Sequence, residues 1–418
     1  MTRLAIVGIG GYGWHLVETI RAVSEQADCR LVAAADARFA AFPERASQLR
    51  SWGVELFDDA REMLTALRGK CEAVYVATGI ASHAPLAIAV AEAGFHLHVE
   101  KPPCGTIQEL DRMQAALDAA DRIGIVGFQA LHARDIGLIK ERIVAGRLGR
   151  VRTLACRAGW PRRQSYYDRN EWAGRLRVGP AWVLDGPAMN ALAHQVANML
   201  FLASTEPARL ATPAAVRAEL YAAGPVPSHD TAAIEIRTDQ GAAAWFLASH
   251  CSRGTFGPTI DIEADGGSAS WTMHQGATIR YADGTEETVG GHESSKAMVT
   301  DFVRAIQTGD ASGLTGRLAD TRPFLLALDG AHESSRRIHR IAPPHARRVD
   351  GPDDPRTVVD GLDDLIARAA LGKCLFSDLP DAPPWAVATD PFDLAGYHAF
   401  PQVFAADQNA ADHTSTRP

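Results

Sequence analysis

Residues 4–25 read LAIVGIGGYGWHLVETIRAVSE: an apolar run, three glycines at G-x-G-x-x-G spacing, then a stretch with Leu16, Val17, Ile20 and Val23 on one face. Strand, glycine loop and helix in that order constrain the fold more than anything else in the chain. The pattern is that of a β-α-β unit that cradles a dinucleotide pyrophosphate. Gly8 permits the tight turn, Gly10 lets the backbone approach the pyrophosphate, and Gly13 lets helix and strand pack closely; Gly11 and Tyr12 complete the loop. The helix N-terminus behind them attracts phosphate charge. A second strand, RLVAAAD (30–36), should then end in an acid for the adenosine ribose hydroxyls, and Asp36 supplies it. A carboxylate there accepts from a 2′-hydroxyl and repels a 2′-phosphate, which favours NAD over NADP; Arg38 partly offsets the repulsion.

The alternation continues. Helical 57–67, strand 72–78, helical 83–94, strand 95–100, helical 109–122 and strand 123–128 predict a doubly wound parallel sheet over 1–128. Ligands of such sheets bind beyond the carboxyl ends of the strands. Two strand ends stand out: VATGIASH (76–83), with Thr78 and His83, and HVEKPPCG (98–105), with Glu100, Lys101 and Pro102. A lysine directly after a buried strand points into the cofactor crevice.

A chain of 418 residues exceeds one compact core, so a second domain is expected over 129–403. Alternating strands at 151–159, 214–223, 230–238, 241–251, 258–266, 268–274 and 277–283, joined by short Asp- and Gly-containing turns, predict an α+β domain with a large, mostly antiparallel open sheet. Helices at 190–203, 294–307 and 356–370 are expected to cover one face of it. The Pro- and aromatic-rich 381–404 reads as extended, and 404–418 as a disordered tail. Six scattered cysteines without a C-x-x-C pair, and histidines without metal-ligand spacing, suggest reduced thiols, no metal and a cytoplasmic location. A net charge of -8 gives no sign of nucleic-acid binding, and no apolar run reaches the roughly 20 residues of a membrane span.

The glycine loop, Asp36, VATGIASH and above all Glu100-Lys101-Pro102 resemble the Gfo/Idh/MocA oxidoreductase family, over roughly residues 1–375. That family includes glucose–fructose oxidoreductase and inositol dehydrogenases. The resemblance implies NAD, a sugar or cyclitol substrate and a homodimer or homotetramer. It further implies that Lys101 sits beside the reacting carbon and hydroxyl, and that a D-x-x-x-H element supplies the remaining catalytic groups. Here VLDGPAMNALAH (183–194) aligns Asn190 with the aspartate and His194 with the histidine that acts as acid/base. A spacing of four places both on one helix face. An amide takes no proton, so Asp185 is a second candidate.

The loop 160–180 carries Arg162, Arg163, Arg169, Arg175 and Arg177 among Tyr166, Tyr167 and Trp172; relatives place the equivalent loop over the active-site mouth. Aromatics stack on sugar rings and arginines hold acidic groups, so Tyr166, Asn170, Trp172, Arg163 and Asp185 are expected to contact substrate, and a sugar acid is the preferred class. Three functions remain open: a dehydrogenase, a hydrolase or lyase that oxidises its substrate transiently, and a binding protein without catalysis.

Overall fold

The computed structural model describes residues 1–291 and 294–405. They form two compact units, residues 1–133 with 294–322, and residues 134–291 with 323–405.

The first unit is a six-stranded, all-parallel sheet. Its strands are β1 (Thr2–Val7), β2 (Cys29–Ala35), β3 (Glu55–Phe57), β4 (Ala73–Val76), β5 (His96–Val99) and β6 (Gly124–Val126), in the order β3-β2-β1-β4-β5-β6. Helices α1 (Gly11–Val23), α2 (Pro43–Ser51), α3 (Ala60–Ala66), α4 (Ile80–Glu92) and α5 (Ile107–Ala120) connect them. The reversal of strand order lies between β1 and β4, the switch point where ligands of open α/β sheets bind. Strands buried on both faces read as continuous apolar runs, as AVYV of β4 does, which is why the sequence announces them so clearly.

The helix Ser295–Thr308 corrects one expectation. It was expected to cover the second sheet, yet Met298, Val299, Phe302 and Val303 share a core with Leu4, Ile6, Leu16 and Ile20 of the first. Its apolar stripe is generic, and periodicity does not specify which sheet a stripe packs against.

In the second unit, α6 (Arg134–Val144) leads into β7 (Val151–Gly159), the short helix α7 (Gln164–Asp168), the two-residue strands β8 (Arg177–Val178) and β9 (Ala181–Trp182), and helix α8 (Ala193–Ala203). Strands β10 (Pro213–Ala222), β11 (Thr231–Thr238), β12 (Ala243–Ser249), β13 (Phe256–Ala264), β14 (Gly267–Thr272), β15 (Gly276–Tyr281) and β16 (Glu286–Val289) follow. They assemble in the order β16-β15-β14-β13-β7-β12-β11-β10. The strand His339–Arg340 adds beyond β10; all neighbours pair antiparallel except β7 with β12 and β10 with His339–Arg340, which are parallel. A helix expected at 356–370 is a strand, Arg356–Val359, followed by a helix, Leu362–Gly372; Gly361, at φ 75°, separates them. The helix Arg322–Ser335 was not anticipated: Phe324 to Ser335 are all buried, Asp329, His332 and Glu333 among them, so its polar residues do not mark a solvent face. The segment beyond Gly372 is fastened to β10, where Glu219 takes Ser377 and Tyr221 takes the Val387 N–H. Phe404 is buried; the expected disordered tail otherwise falls at 406–418, outside the described residues.

Candidate active site

At the carboxyl edge of the first sheet, each functional residue stands just past its strand. The strands are stitched in step: Gly8 N–H donates to Ala35, Ala77 N–H to Val7 and Glu100 N–H to Val76. The glycine loop is close-packed. A Cβ on Gly8, whose φ is +92°, would lie 2.4 Å from the Ala77 carbonyl oxygen, and one on Gly13 would lie 2.1 Å from the Gly8 carbonyl oxygen. No larger residue fits either position. Gly10 is the N-cap of α1 and Gly11 its first residue, so the loop ends at a helix N-terminus, the usual seat of a phosphate.

Asp36 is buried, and its carboxylate accepts from Ile9 N–H at 2.9 Å and Arg38 N–H at 2.8 Å. It thus fixes the glycine loop and stands next to it. Tyr12 is at the surface, its hydroxyl 3.2 Å from Ser295 Oγ. These residues fit a dinucleotide: a backbone cradle with no room for side chains, a helix N-terminus and an adjacent carboxylate.

Past β5, Glu100 is buried, with Oε2 accepting the Lys101 N–H at 3.2 Å. Burial pushes its carboxyl up to about 8, against the pull of Lys101. The Lys101–Pro102 peptide is cis. His83 is buried at 1% exposure and lies 2.8 Å from the Pro102 carbonyl through Nδ1 and 3.1 Å from the Thr78 carbonyl through Nε2. Burial lowers its pKa. A neutral His83 donates to one of these carbonyls and packs against the other, between the loop of Lys101 and the turn of Thr78, whose hydroxyl accepts from Ser82 at 2.8 Å.

The second unit holds the other group. Pro187–Ala191 is a π-helical turn, Leu192 breaks the path at φ -119° and ψ 24°, and α8 starts at Ala193. The expectation of one helix carrying Asn190 and His194 on one face is thereby corrected: Asn190 lies in the π turn, His194 in the first turn of α8. The i to i+5 bond from Leu192 N–H to the Pro187 carbonyl sets the wider turn. Asn190 Nδ2 donates to Asp185 Oδ1 at 2.8 Å, and the other Asp185 oxygen accepts Gly174 N–H at 2.6 Å. Both side chains are buried. Asp185 and Asn190, read from sequence as alternatives, form one hydrogen-bonded pair.

The arginine-rich loop is anchored on both sides. Trp160 and Arg162 donate backbone N–H groups to Ser249, the last residue of β12, and to His250 just past it, and Arg163 bridges to Arg356. Arg163 is paired with Asp350 at 3.1 Å and donates to the Asp354 carbonyl, which fixes it to its own unit. Asn170 caps a turn, accepting from Trp172 and Ala173 N–H. Trp172 is half-buried, 5.2 Å from the Arg169 guanidinium. Tyr166 is flanked by Arg162 at 4.4 Å and Arg169 at 3.5 Å. Sequence reading passed over His250, which lies 3.4 Å from the Tyr167 hydroxyl and 5.7 Å ring to ring from Tyr166. No spacing links 166 to 250; their proximity follows from β7 pairing with β12.

A parallel sheet with a glycine cradle and an acid past the second strand, joined to a mixed-sheet unit, defines a nucleotide-dependent oxidoreductase. Residues 2–128 match the oxidoreductase family with an NAD-binding Rossmann fold, GFO/IDH/MocA, and residues 136–270 match the GFO/IDH/MocA C-terminal domain. The chain belongs to this family, as an NAD-binding oxidoreductase of the Gfo/Idh/MocA type. It is 29% identical over 153 residues to myo-inositol 2-dehydrogenase of Thermotoga maritima, covering 36% of this chain and 43% of that protein. It is 40% identical over 83 residues to a 1-carboxy-3-chloro-3,4-dihydroxycyclohexa-1,5-diene dehydrogenase of Comamonas testosteroni, covering 20% and 21%. The matches thus span less than half of either relative. Among solved structures, the WlbA dehydrogenase of Bordetella pertussis with NADH and UDP-GlcNAcA superposes with a TM-score of 0.66 at 23% identity, over 80% of this chain and 96% of that one. A levoglucosan dehydrogenase with NADH and L-sorbose gives 0.66 at 20%, over 79% and 97%. These likenesses establish the fold.

Proposed function

We propose that this protein is an NAD-dependent dehydrogenase acting on a CH–OH group of a sugar, sugar derivative or cyclitol. The observation that carries the reading is the line of Gly8, Asp36, Thr78 and Glu100–Lys101 along one edge of the parallel sheet. A cradle for pyrophosphate and a lysine at its exit belong together when a redox cofactor and a hydroxyl must meet. The named relatives and fold neighbours are dehydrogenases of inositol, sugars and a carboxylated diol, which supports the substrate class.

In this reading Gly8, Gly10, Gly11, Tyr12 and Gly13 receive the pyrophosphate side, and the Asp36 carboxylate selects a free 2′-hydroxyl, hence NAD. Bound nicotinamide supplies the hydride acceptor. His194 takes the role of general base toward the substrate hydroxyl, and Lys101 contributes its charge and hydrogen bonding to the reaction. Glu100 and His83 position Lys101, since both are buried against its loop. Asp185 and Asn190 hold the turn that leads into His194. Assembly into dimers or tetramers belongs to the same proposal, with light scattering as its test.

The test is NAD reduction across a panel of aldoses, sugar acids, inositols and glycosides. The wild type should produce NADH with one class, and Lys101→Met should lose on the order of 1,000-fold in kcat while NAD affinity holds. A fully active variant would refute the lysine role. Glycoside cleavage without net NADH would replace the dehydrogenase by an enzyme of transient oxidation. NAD binding without any turnover would leave a binding protein.

A further inference from the structure

Five arginines crowd the loop 160–180, and the structure divides them. Arg163 is paired with Asp350, a carboxylate it shares with Arg356. Arg177 lies over the Trp182 ring at 3.7 Å, and Arg175 is exposed. Arg162 and Arg169 differ. Both guanidiniums sit on one half-buried ring, that of Tyr166, at 4.4 and 3.5 Å from its centroid, so the two charges lie within about 8 Å of each other. Among the described residues neither has a carboxylate within ion-pair distance. Arg162 Nε is buried without an acceptor, and Arg169 donates to the Tyr166 carbonyl at 2.5 Å.

Two like charges on one ring repel, and a folded chain ordinarily brings up a carboxylate to relieve them. Here the loop is held in place without an ion pair on either guanidinium, the Asp354 carboxylate being taken up by Ser165. Arg162 is pinned through its N–H on the His250 carbonyl, and Ser165 caps on Asp354 through N–H and Oγ, at 2.8 and 2.9 Å. The pair acts electrostatically on other groups of its own unit. Burial keeps His250 well below its ordinary pKa, and the Arg162 and Arg169 charges add to the effect. Tyr166 is raised by burial and then by the Asp185 charge. A third cation at His250 is therefore disfavoured, and the residue that holds Asn190 lies within electrostatic reach of the stack.

We propose that Arg162 and Arg169, stacked on Tyr166, bind an anionic group of the substrate, so that the preferred substrate is an acidic sugar derivative rather than a neutral one. Guanidinium forks take the paired oxygens of a carboxylate or phosphate, and a pre-positioned pair does so without first ordering two flexible side chains. This rests on the dehydrogenase reading, which names the hydroxyl chemistry but leaves the rest of the substrate open.

Matched probes test it: D-glucuronate against D-glucose, D-galacturonate against D-galactose, and glucose 6-phosphate for the phosphate form. NAD reduction should favour an acidic member over its neutral partner by roughly tenfold or more in kcat/KM. Arg162→Gln and Arg169→Gln should each raise KM for the acid roughly tenfold or more, leave kcat within about threefold and leave the neutral sugar unchanged. Arg169→Lys, which keeps the charge and loses the fork, should fall between. Preference for the sugar phosphate would keep the anion site and assign it a phosphate. Equal rates with acidic and neutral members, or equal losses on both in the variants, would overturn the proposal. Should no member reduce NAD, the dehydrogenase reading falls, and calorimetric titration of NADH-loaded protein with the same probes still decides. Acid binding abolished by the Gln variants supports the site, and no acid binding refutes it.

Discussion

Asp36 and Asp185 are both buried carboxylates whose two oxygens hold neighbouring chain in place, yet only one could be assigned its place from sequence. Asp36 accepts from Ile9 and Arg38, and the glycines it stabilises precede it in a fixed strand-loop-helix-strand order. Asp185 accepts from Gly174, eleven residues back, and from Asn190, five ahead across a π turn. The first carboxylate serves a motif whose geometry repeats wherever a strand enters a helix. The second serves a turn specific to this chain, and no periodicity encodes it. A nucleotide cradle is assembled from backbone and is therefore written in glycines. A substrate site is assembled from side chains on loops, and its partners are set by tertiary pairing.

The most disruptive way to break the first region is Gly13→Ala. Its Cβ would lie 2.1 Å from the Gly8 carbonyl oxygen, a backbone atom that cannot swing aside. NAD affinity should fall at least about 100-fold, with a stability loss of about 3 kcal/mol, read by calorimetric titration and thermal unfolding. Retained NAD binding would mean that the cradle is not where the nucleotide sits. The corresponding break in the second region is Asp185→Ala, which removes the acceptor of Asn190 Nδ2 and of Gly174 N–H. About 2–3 kcal/mol should be lost, with a large fall in kcat at unchanged NAD affinity. Asp185→Asn separates shape from charge: if charge is what matters, the amide variant should recover stability better than turnover.

Glu100 sharpens the comparison through pH. Its folded pKa of about 8 lies above the ordinary 4.5, so between those values the folded chain keeps a proton that the unfolded chain has released. That contribution to stability is complete below pH 4.5 and is lost as pH rises toward 8. Glu100→Gln should flatten this part of the profile by on the order of 2 kcal/mol, measured as variant-minus-wild-type unfolding free energy from pH 5 to 8. A difference independent of pH would mean that Glu100 is ionised throughout.

Legibility followed the same division. The parallel sheet and the strand-end residues Thr78, Glu100 and Lys101 were visible because buried parallel strands and βα turns are local signals. His83 was visible as a residue of the cofactor turn, but not as the residue packed between Thr78 and Pro102, because both its neighbours there are backbone carbonyls. The helix Ser295–Thr308 was visible as a helix and misassigned to a sheet. Glu333 went unnoticed: it accepts from Tyr397 and from the N–H groups of Gln402, Val403 and Phe404, a nest that holds the end of the described chain. Nothing in the sequence links 333 to 402–404 except the fold that brings them together.

The smallest effect separates two arginines that the sequence cannot tell apart. Arg163 and Arg169 lie six residues apart in one loop, equally charged and both exposed. Arg163 has a carboxylate at 3.1 Å, with side-chain exposures of 49% and 32% for Arg163 and Asp350. A pair this open is worth less than about 1 kcal/mol, because solvent screens it and two side chains must be ordered. Arg163→Ala should therefore shift unfolding by less than that and leave the preference for acidic over neutral sugars untouched, whereas Arg169→Gln should erase the preference at little cost to stability. The contrast is informative because net charge changes by one unit in both variants. If general attraction of anions to a basic loop governed selectivity, both would weaken it equally and raised salt would mimic either. If a fork held on a tyrosine ring governs it, only Arg169→Gln does so, and the wild-type preference persists at high ionic strength.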